Sequence, residues 1–174
     1  MPEKLRTLIS AEDIARRVAE MAQEIDRAYG ENQSVYLISV LKGSFVFLAD
    51  LVRAMKRNVR IEFMAISSYG HGKTTSGEVK VTRDLGFSIE GQDVLVVEDI
   101  IDSGVTLNYL LRLLEQRSPN SVRIATLLDK PDRRIRPVKV DFLGFSIPDA
   151  FVVGYGLDYA EDYRNLPDIC VLLE

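Results

Sequence analysis

The chain has 174 residues, of which 47% are hydrophobic and 28% are charged, and its formal net charge is −4. This composition is that of an ordinary globular protein with one sizeable core, and the slight excess of acidic residues argues against a nucleic-acid-binding surface. No apolar run approaches the roughly 18 residues of a membrane span, and the first ten residues lack the apolar core of a signal peptide. We therefore expect a cytoplasmic protein with neither a membrane nor a nucleic-acid partner. The single cysteine, Cys170, cannot form an internal disulfide or a cysteine-based metal site.

The first half of the chain predicts one helix followed by alternating strands and helices. Ser10, with Asp13 three residues later, is typical of a helix N-terminus, and apolar residues then recur at helical spacing until Gly30. The sequence next predicts a buried strand at 34–41, a helix at 44–57, strands at 60–69 and 78–85, and a polar loop at 70–77.

The second half continues this alternation. We expect a strand at 94–98, a loop at 99–103, a helix at 104–116, a strand at 121–128, a loop at 129–137, and strands at 140–147, 151–156 and 169–173. Apolar strands that alternate with helices predict an α/β fold, in which right-handed crossovers build a central, mostly parallel sheet flanked by helices. In such sheets, ligands bind beyond the carboxyl ends of the strands.

The segment VLVVEDIIDSGVTL (94–107) places three carboxylates, and then serine and glycine, at the end of a buried strand. Glu98 and Asp99 supply oxygen atoms that suit Mg²⁺ or a vicinal diol. Gly104 allows a ligand to approach the first turn of the next helix, whose free N–H groups suit a phosphate, and Ser103 adds a hydroxyl donor. A lone aspartate here is more often a helix cap, but the whole pattern indicates a site for a phosphorylated sugar and a metal.

The same segment closely resembles the phosphoribosyl-pyrophosphate (PRPP) binding motif of type I phosphoribosyltransferases, in the branch that acts on 6-oxopurines. Four other segments extend the resemblance over nearly the whole chain. They are LKGS (41–44), similar to the pyrophosphate loop; SSYGHGKTTSG (67–77), similar to the mobile catalytic loop; LLDK (127–130), similar to the segment with the purine-contacting lysine; and FVVGYGLDYAEDYRNLP (151–167), similar to the purine-binding hood. The resemblance implies one domain, 1–174, with a core at about 30–140 and a small hood built from the N-terminal segment and about 141–174.

For the PRPP motif, the resemblance implies a division of labour. Glu98 and Asp99 would hold the ribose hydroxyls, directly or through Mg²⁺-bound water, and Asp102 would lie beside purine N7 as the general base. The loop that wraps the 5′-phosphate would consist of Asp102, Ser103, Gly104, Val105 and Thr106.

The other motifs imply contacts with pyrophosphate and with the base. The residues that would meet pyrophosphate are Lys42, Gly43, Arg134 and Arg164, and the Leu41–Lys42 peptide is often cis in the family. Ser68 and Tyr69 would close over the reaction. The residues that would bind the purine are Ile100, Lys130 (to the 6-oxo group), Phe151 (by stacking), Val152 and Asp158, and the Asp158 carboxylate would also hold a second Mg²⁺.

These roles imply transfer of the 5-phosphoribosyl group from PRPP to hypoxanthine or guanine, with Mg²⁺ as cofactor and IMP or GMP and pyrophosphate as products. Relatives associate as dimers or tetramers, so the resemblance also implies a homodimer or homotetramer, for which the apolar face of helix 44–57 is a candidate surface.

A lysine in the hood of some relatives is Ala150 here. The preference among hypoxanthine, guanine and xanthine stays open.

Two other functions match parts of the pattern. A regulatory protein can keep a PRPP motif to sense nucleotides without catalysis, although the complete loop and hood argue against this. A phosphoribosyltransferase for adenine or uracil would share the fold, but Lys130 favours a 6-oxo acceptor because an ammonium group donates hydrogen bonds and accepts none.

The stretch GHGKTT (70–75) resembles the end of an ATP-binding phosphate loop but lacks the leading glycine and precedes an alternating strand.

Overall fold

The computed structural model describes residues 4–68 and 79–173. Along the chain the elements are β1 (Lys4–Ile9), α1 (Ala11–Ala28), β2 (Val35–Val40), α2 (Phe45–Ala54), β3 (Val59–Ser68), β4 (Val79–Arg83), β5 (Asp93–Ile101), α3 (Val105–Glu115), β6 (Ser121–Asp129), a 3₁₀ turn (Pro131–Arg133), β7 (Phe142–Ser146), β8 (Val152–Val153) and β9 (Ile169–Leu173). In the described part of the chain, no helix is both long and apolar enough to cross a membrane.

The larger sheet has six strands in the order β4-β3-β2-β5-β6-β7. The pairs β3–β2, β2–β5, β5–β6 and β6–β7 are parallel, and only the edge strand β4 is antiparallel to its neighbour. The mostly parallel α/β sheet predicted from the alternation of strands and helices is confirmed.

Alternate residues of the central strands pack against different helices. On β5, Leu95 and Val97 belong to a buried cluster with residues of α1 and α2, whereas Val94 and Val96 belong to a second cluster with residues of α3. Because successive side chains of a strand point to opposite faces, α1 and α2 cover one face of the sheet and α3 covers the other. The carboxyl ends of the strands are thereby left to the connecting loops.

A second sheet of three strands, in the order β1-β9-β8, is antiparallel and joins the two ends of the chain. β1 was not predicted, because four of its six residues are exposed and only Ile9, at its end, is buried. β7 belongs to the six-stranded sheet, so after β1 the chain returns to the second sheet only at Val152. The Ala11 N–H at the start of α1 donates to Asp168 Oδ1 at 2.7 Å, which ties that helix to the segment before β9.

Three predicted boundaries were wrong for identifiable reasons. The loop predicted at 99–103 begins later, because β5 continues to Ile101 through pairs with Leu128 and Asp129 of β6. The helix predicted at 44–57 is confined to 45–54. The strand predicted at 151–156 ends at Val153, because the next three residues all have positive φ and turn the chain.

The loop between β5 and α3 depends on a glycine. Gly104 has φ +82°, and a Cβ atom there would lie 2.5 Å from the Arg136 carbonyl oxygen. The Ser103 carbonyl accepts hydrogen bonds from the N–H groups of Ile135 (2.8 Å) and Arg136 (3.0 Å), so the loop is packed against residues 135–136. A side chain at position 104 therefore meets both an unfavourable φ and a backbone clash.

We predict that Gly104→Ala lowers the free energy of unfolding by about 2–4 kcal/mol, the sum of a strained φ and an overpacked contact. Gly91→Ala is the matched control, since Gly91 has φ +68° with nothing within 4 Å of a built Cβ, and it should cost only about 1 kcal/mol. Urea denaturation measures both values. Equal losses for the two variants would show that the contact with Arg136 is unimportant.

Candidate active site

Three loops meet at the carboxyl ends of β2, β5 and β6, which are neighbours in the sheet. They are residues 41–44 after β2, 102–104 after β5 and the segment that starts at Lys130 after β6. The Lys130 N–H donates to the Ile101 carbonyl at 3.0 Å, which fixes the last of these loops to the end of β5. This edge of the sheet is where an open α/β fold binds its ligands, and the motif segments 41–44, 94–107 and 127–130 converge on it.

Glu98 and Asp99 are consecutive residues near the end of β5, and their carboxyl groups lie in different parts of the site. Glu98 lines a cavity of about 190 Å³ together with Ile100, Asp102, Ser103, Gly104 and Thr106. Asp99 points toward the loop after β2, since a Cβ atom on Gly43 would strike its carboxylate, and its Oδ1 accepts from the Ile100 N–H at 2.8 Å. The glycine at 43 is thus required for close approach of the two loops.

Both carboxyl groups are harder to ionise than usual. Burial, with a smaller contribution from the charge of Asp99, raises the pKa of Glu98 well above its ordinary value. Burial raises the pKa of Asp99 to about 6, against the opposing influence of the Ile100 N–H and of Arg164, while Asp158 adds to the rise. Two adjacent, partly buried carboxyls that form no ion pair with a described side chain are a donor set suited to a cation or to hydroxyl groups.

The loop 102–106 forms the other wall of the 190 Å³ cavity. Gly104 is the N-cap of α3, so no capping side chain occupies the start of this helix, and the Val105 N–H donates to Ser103 Oγ at 3.3 Å. Thr106 is exposed and lines the same cavity. A helix N-terminus that opens into a cavity lined by hydroxyl groups is suited to bind a phosphate.

Asp102 is exposed and is paired with a residue that was not among the predicted site residues. Arg133 Nε donates to Asp102 Oδ1 at 3.1 Å, and the Arg133 guanidinium also lies 3.6 Å from Asp149 Oδ2. Arg134 donates to the Asp102 carbonyl at 3.3 Å and pairs with Asp129. The contacts of Arg134, which we expected at the pyrophosphate, are therefore with the phosphate loop and the end of β6.

Lys42 and Arg164, the two other cationic residues expected at pyrophosphate, both pair with a carboxylate that was not among the predicted site residues. Lys42 Nζ lies 2.9 Å from Glu161 Oε2, and Arg164 Nη2 lies 3.3 Å from Glu161 Oε1 and 3.3 Å from Asp158 Oδ1. The ion pair with Lys42 lowers the pKa of Glu161. The Leu41–Lys42 peptide is cis.

The residues expected to contact the purine lie around the end of β6 and the start of β8. Lys130 is buried, with 7% of its surface exposed, whereas Phe151 is 53% exposed and packs edge-on against Tyr159 with ring centroids 5.7 Å apart. Tyr159 was not among the predicted site residues. The one sequence signal for it was that an aromatic residue stands within the segment 151–167. Val152 is buried in β8, Ile100 lines the 190 Å³ cavity, and Asp158 is partly buried beside Arg164.

Two expected positions cannot be placed in this site. Ser68 is the last residue of β3, and nothing is described of its side chain. Tyr69, like the loop predicted at 70–77, lies outside the described residues.

A larger cavity of about 550 Å³ lies elsewhere, between α1, α2 and the turn 155–167. Its walls are mostly apolar and include Ile14, Phe45, Val46, Tyr155 and Leu166. Its lining contains one carboxylate, Asp50, which already accepts from the Tyr155 hydroxyl, whereas the smaller cavity has Glu98 and Asp102 beside the start of α3. The smaller cavity is therefore the better candidate for the site of a phosphorylated sugar.

Comparison with known proteins agrees with this geometry. A family model described as a phosphoribosyl transferase domain matches residues 7–160. The hypoxanthine-guanine phosphoribosyltransferase of Bacillus subtilis (strain 168) is 51% identical over 167 residues, which cover 96% of this chain and 92% of the relative. The hypoxanthine phosphoribosyltransferase of Escherichia coli (strain K12) is 48% identical over 170 residues, which cover 97% of this chain and 96% of the relative.

The solved structures give the same result. A crystal structure of a hypoxanthine-guanine phosphoribosyltransferase from Bacillus anthracis superposes with a TM-score of 0.93 at 47% identity, covering 98% of this chain and 99% of that chain. The fold, the site at the edge of the sheet and these relatives agree, and the chain belongs to the phosphoribosyltransferase family, among the hypoxanthine-guanine phosphoribosyltransferases.

Proposed function

We propose that this protein transfers the 5-phosphoribosyl group of PRPP to a 6-oxopurine, hypoxanthine or guanine, and releases IMP or GMP and pyrophosphate. The observation that carries the proposal is the meeting, at one edge of the sheet, of the carboxyl pair Glu98–Asp99, the phosphate loop 102–106 and the buried Lys130. These groups match the three parts of the reaction: the ribose, its 5′-phosphate and the 6-oxo group of the base.

The sugar phosphate would lie along β5 and the start of α3. The first-turn N–H groups of α3, with Ser103 and Thr106, would bind the 5′-phosphate, and Glu98 and Asp99 would hold the ribose hydroxyls. Lys42 and Arg164, which share the carboxylate of Glu161, would bind the pyrophosphate group, and Gly43 brings the loop that carries Lys42 against Asp99. Lys130 would donate to the purine oxygen, and the exposed face of Phe151 would stack on the ring.

Mg²⁺ is part of this proposal. Among the described residues, no three His, Cys, Asp or Glu side chains form a complete metal site. Mg²⁺, however, is usually held by one or two carboxylates together with substrate oxygens, and Glu98 and Asp99 fit that requirement because they are adjacent, partly buried carboxyl groups near the end of β5. Asp158 would hold a second ion beside Arg164. The bound metal would supply neutralisation of the negative charge on the pyrophosphate.

The protein's side chains would carry out the proton transfer and stabilise the leaving group. As the bond between purine N9 and C1′ forms, the bond between C1′ and the pyrophosphate oxygen breaks, and the proton on N7 passes to Asp102. Lys42 and Arg164 would stabilise the charge that develops on the leaving group. A positioned general base contributes roughly 10²–10⁴-fold to the rate, which sets the effect expected from changing Asp102.

Exposed apolar residues at the start of α2 bear on the assembly of the protein. Most of the apolar face of α2 is buried in the core, but Phe45 at its start is 45% exposed and Leu41 is 36% exposed. We propose that these residues contribute to contacts in a homodimer or homotetramer. The cytoplasmic location predicted from the sequence stays a prediction.

The reaction is tested with PRPP and Mg²⁺ and with hypoxanthine, guanine, xanthine and adenine offered separately in a spectrophotometric assay. We expect nucleotide from 6-oxopurines and none from adenine, and we expect Asp102→Asn to lower kcat at least about tenfold because an amide cannot accept the N7 proton. Asp132→Asn, which removes an exposed carboxylate from the adjacent 3₁₀ turn, should retain activity. Absence of turnover on every base, together with measurable PRPP binding, would overturn the enzyme and favour the regulatory alternative.

The raised pKa values predict an unusual pH dependence of stability in the ligand-free protein. Carboxyl groups of the unfolded chain titrate near 4, whereas Asp99 titrates at about 6 in the folded protein. Between these values the folded state holds protons that the unfolded state has lost, so the contribution of the pair to the free energy of unfolding falls as pH rises. At pH 7 both carboxyls therefore make the folded state less stable than neutral side chains would.

We expect Glu98→Gln to be more stable than the original protein at pH 7, and the gain to shrink toward pH 4. Urea denaturation across this pH range measures the gain. Glu115→Gln, which changes an exposed glutamate at the end of α3, is the matched control and should show no such gain. A Glu98→Gln protein that is less stable than the original at pH 7 would be the contrary result.

A further inference from the structure

One carboxylate bridges the two cations assigned to pyrophosphate. The two oxygens of Glu161 are divided between them: Oε2 lies 2.9 Å from Lys42 Nζ, and Oε1 lies 3.3 Å from Arg164 Nη2. The backbone N–H of Glu161 donates to Asp158 Oδ2 at 2.8 Å, which fixes the turn against another residue of the same cluster. Glu161 therefore occupies the position in which two oxygens of a phosphate group would meet Lys42 and Arg164.

The backbone that carries Glu161 is an unfavourable one for its sequence. Tyr159 and Asp162 exchange both backbone hydrogen bonds, at 3.1 and 2.9 Å, so Ala160 and Glu161 form a two-residue hairpin loop. Their φ values are +51° and +72°. Tight hairpin loops with two positive φ values strongly favour sequences such as Asn-Gly. Neither residue here is glycine, and backbone strain of this kind tends to persist at functional positions.

We propose that Glu161 is a built-in counter-anion of the pyrophosphate site, which pairs with Lys42 and Arg164 while the site is empty and is displaced when pyrophosphate binds. This inference rests on the proposed function, because that function assigns the two cations to pyrophosphate. The single charge of a carboxylate competes poorly with the several charges of Mg²⁺-bound pyrophosphate, so the true ligand still binds. Smaller anions of low charge gain less from displacing it.

Displacement has two consequences for the reaction. Every molecule of PRPP or pyrophosphate must break the pairs of Glu161, so the carboxylate weakens the binding of both. When pyrophosphate dissociates as a product, Glu161 pairs again with Lys42 and Arg164, and this favours the release of pyrophosphate. The effect is moderate because the side chains of Lys42 and Glu161 are each 65% exposed, and each exposed ion pair changes an equilibrium by up to about fivefold.

The test is isothermal titration calorimetry of the whole protein with pyrophosphate in excess Mg²⁺, and with PRPP. Glu161→Gln removes the charge with little change in shape, and Glu161→Gly removes the carboxylate while relaxing the positive φ, so a loss of stability in the first variant does not end the test. Asp162→Asn is the matched control, because it makes the same change of charge at the next residue, which is also exposed.

Both Glu161 variants should bind pyrophosphate about three- to tenfold more tightly than the original protein, while Asp162→Asn should stay within about twofold. In steady-state assays, inhibition by pyrophosphate should strengthen by the same factor and the KM for hypoxanthine should not move. A residue that merely stabilised the segment 151–167 would change both the inhibition constant of pyrophosphate and the KM for hypoxanthine.

Weaker or unchanged binding of pyrophosphate in both Glu161 variants would overturn the inference, since Glu161 would then hold the cations in place for the ligand or play no part. Equal tightening in Asp162→Asn would overturn it too, because net charge alone would explain the gain. In both cases turnover by the original protein leaves the proposed function intact. An original protein that binds neither PRPP nor pyrophosphate would overturn the proposed function and this inference with it.

Discussion

Two carboxyl groups placed next to each other near the end of a central strand are the feature on which the rest of the site depends. Glu98 and Asp99 continue β5 beyond its apolar segment, where β6 still pairs with it. Burial raises the pKa of both groups, so the ligand-free protein holds them at a cost in stability. Such an arrangement is typical of a ligand site, and the proposed function would place hydroxyl groups and a cation there.

The loops around the pair are packed to leave that space open. Gly43 lets the loop after β2 reach the Asp99 carboxylate, and Gly104 lets the loop after β5 lie against residues 135–136. The N-cap of α3 is Gly104, which has no side chain, and Ser103 Oγ accepts from the Val105 N–H, so the following N–H groups of the first turn are available to a phosphate. Charged side chains at the rim are paired with one another in the free protein: Asp102 with Arg133, and Lys42 with Glu161. Substrates would exchange these exposed pairs for their own contacts.

The sequence predicted those features that depend on neighbours along the chain. The alternation of strands and helices, the helix start at Ser10 and the phosphate loop follow from periodicity and short motifs. Features that depend on distant partners were missed. β1 forms because β9 pairs with it, although only Ile9, at its end, is buried. The extent of β5 is set by β6. Lys42 and Glu161 are 119 residues apart, and no local pattern indicated that they would meet.

The most direct test of this account is the number of protons released when PRPP and Mg²⁺ bind, measured by calorimetry at pH 6–7 in buffers that differ in ionisation enthalpy. If the ligand favours the ionised forms of the buried carboxyls, binding lowers their pKa values and protons are released. Because PRPP itself also loses protons to Mg²⁺, the informative quantity is the difference between the original protein and Asp99→Asn. The account predicts greater release by the original protein, shrinking toward pH 8. Equal release by the two proteins, or greater release by Asp99→Asn, would contradict it.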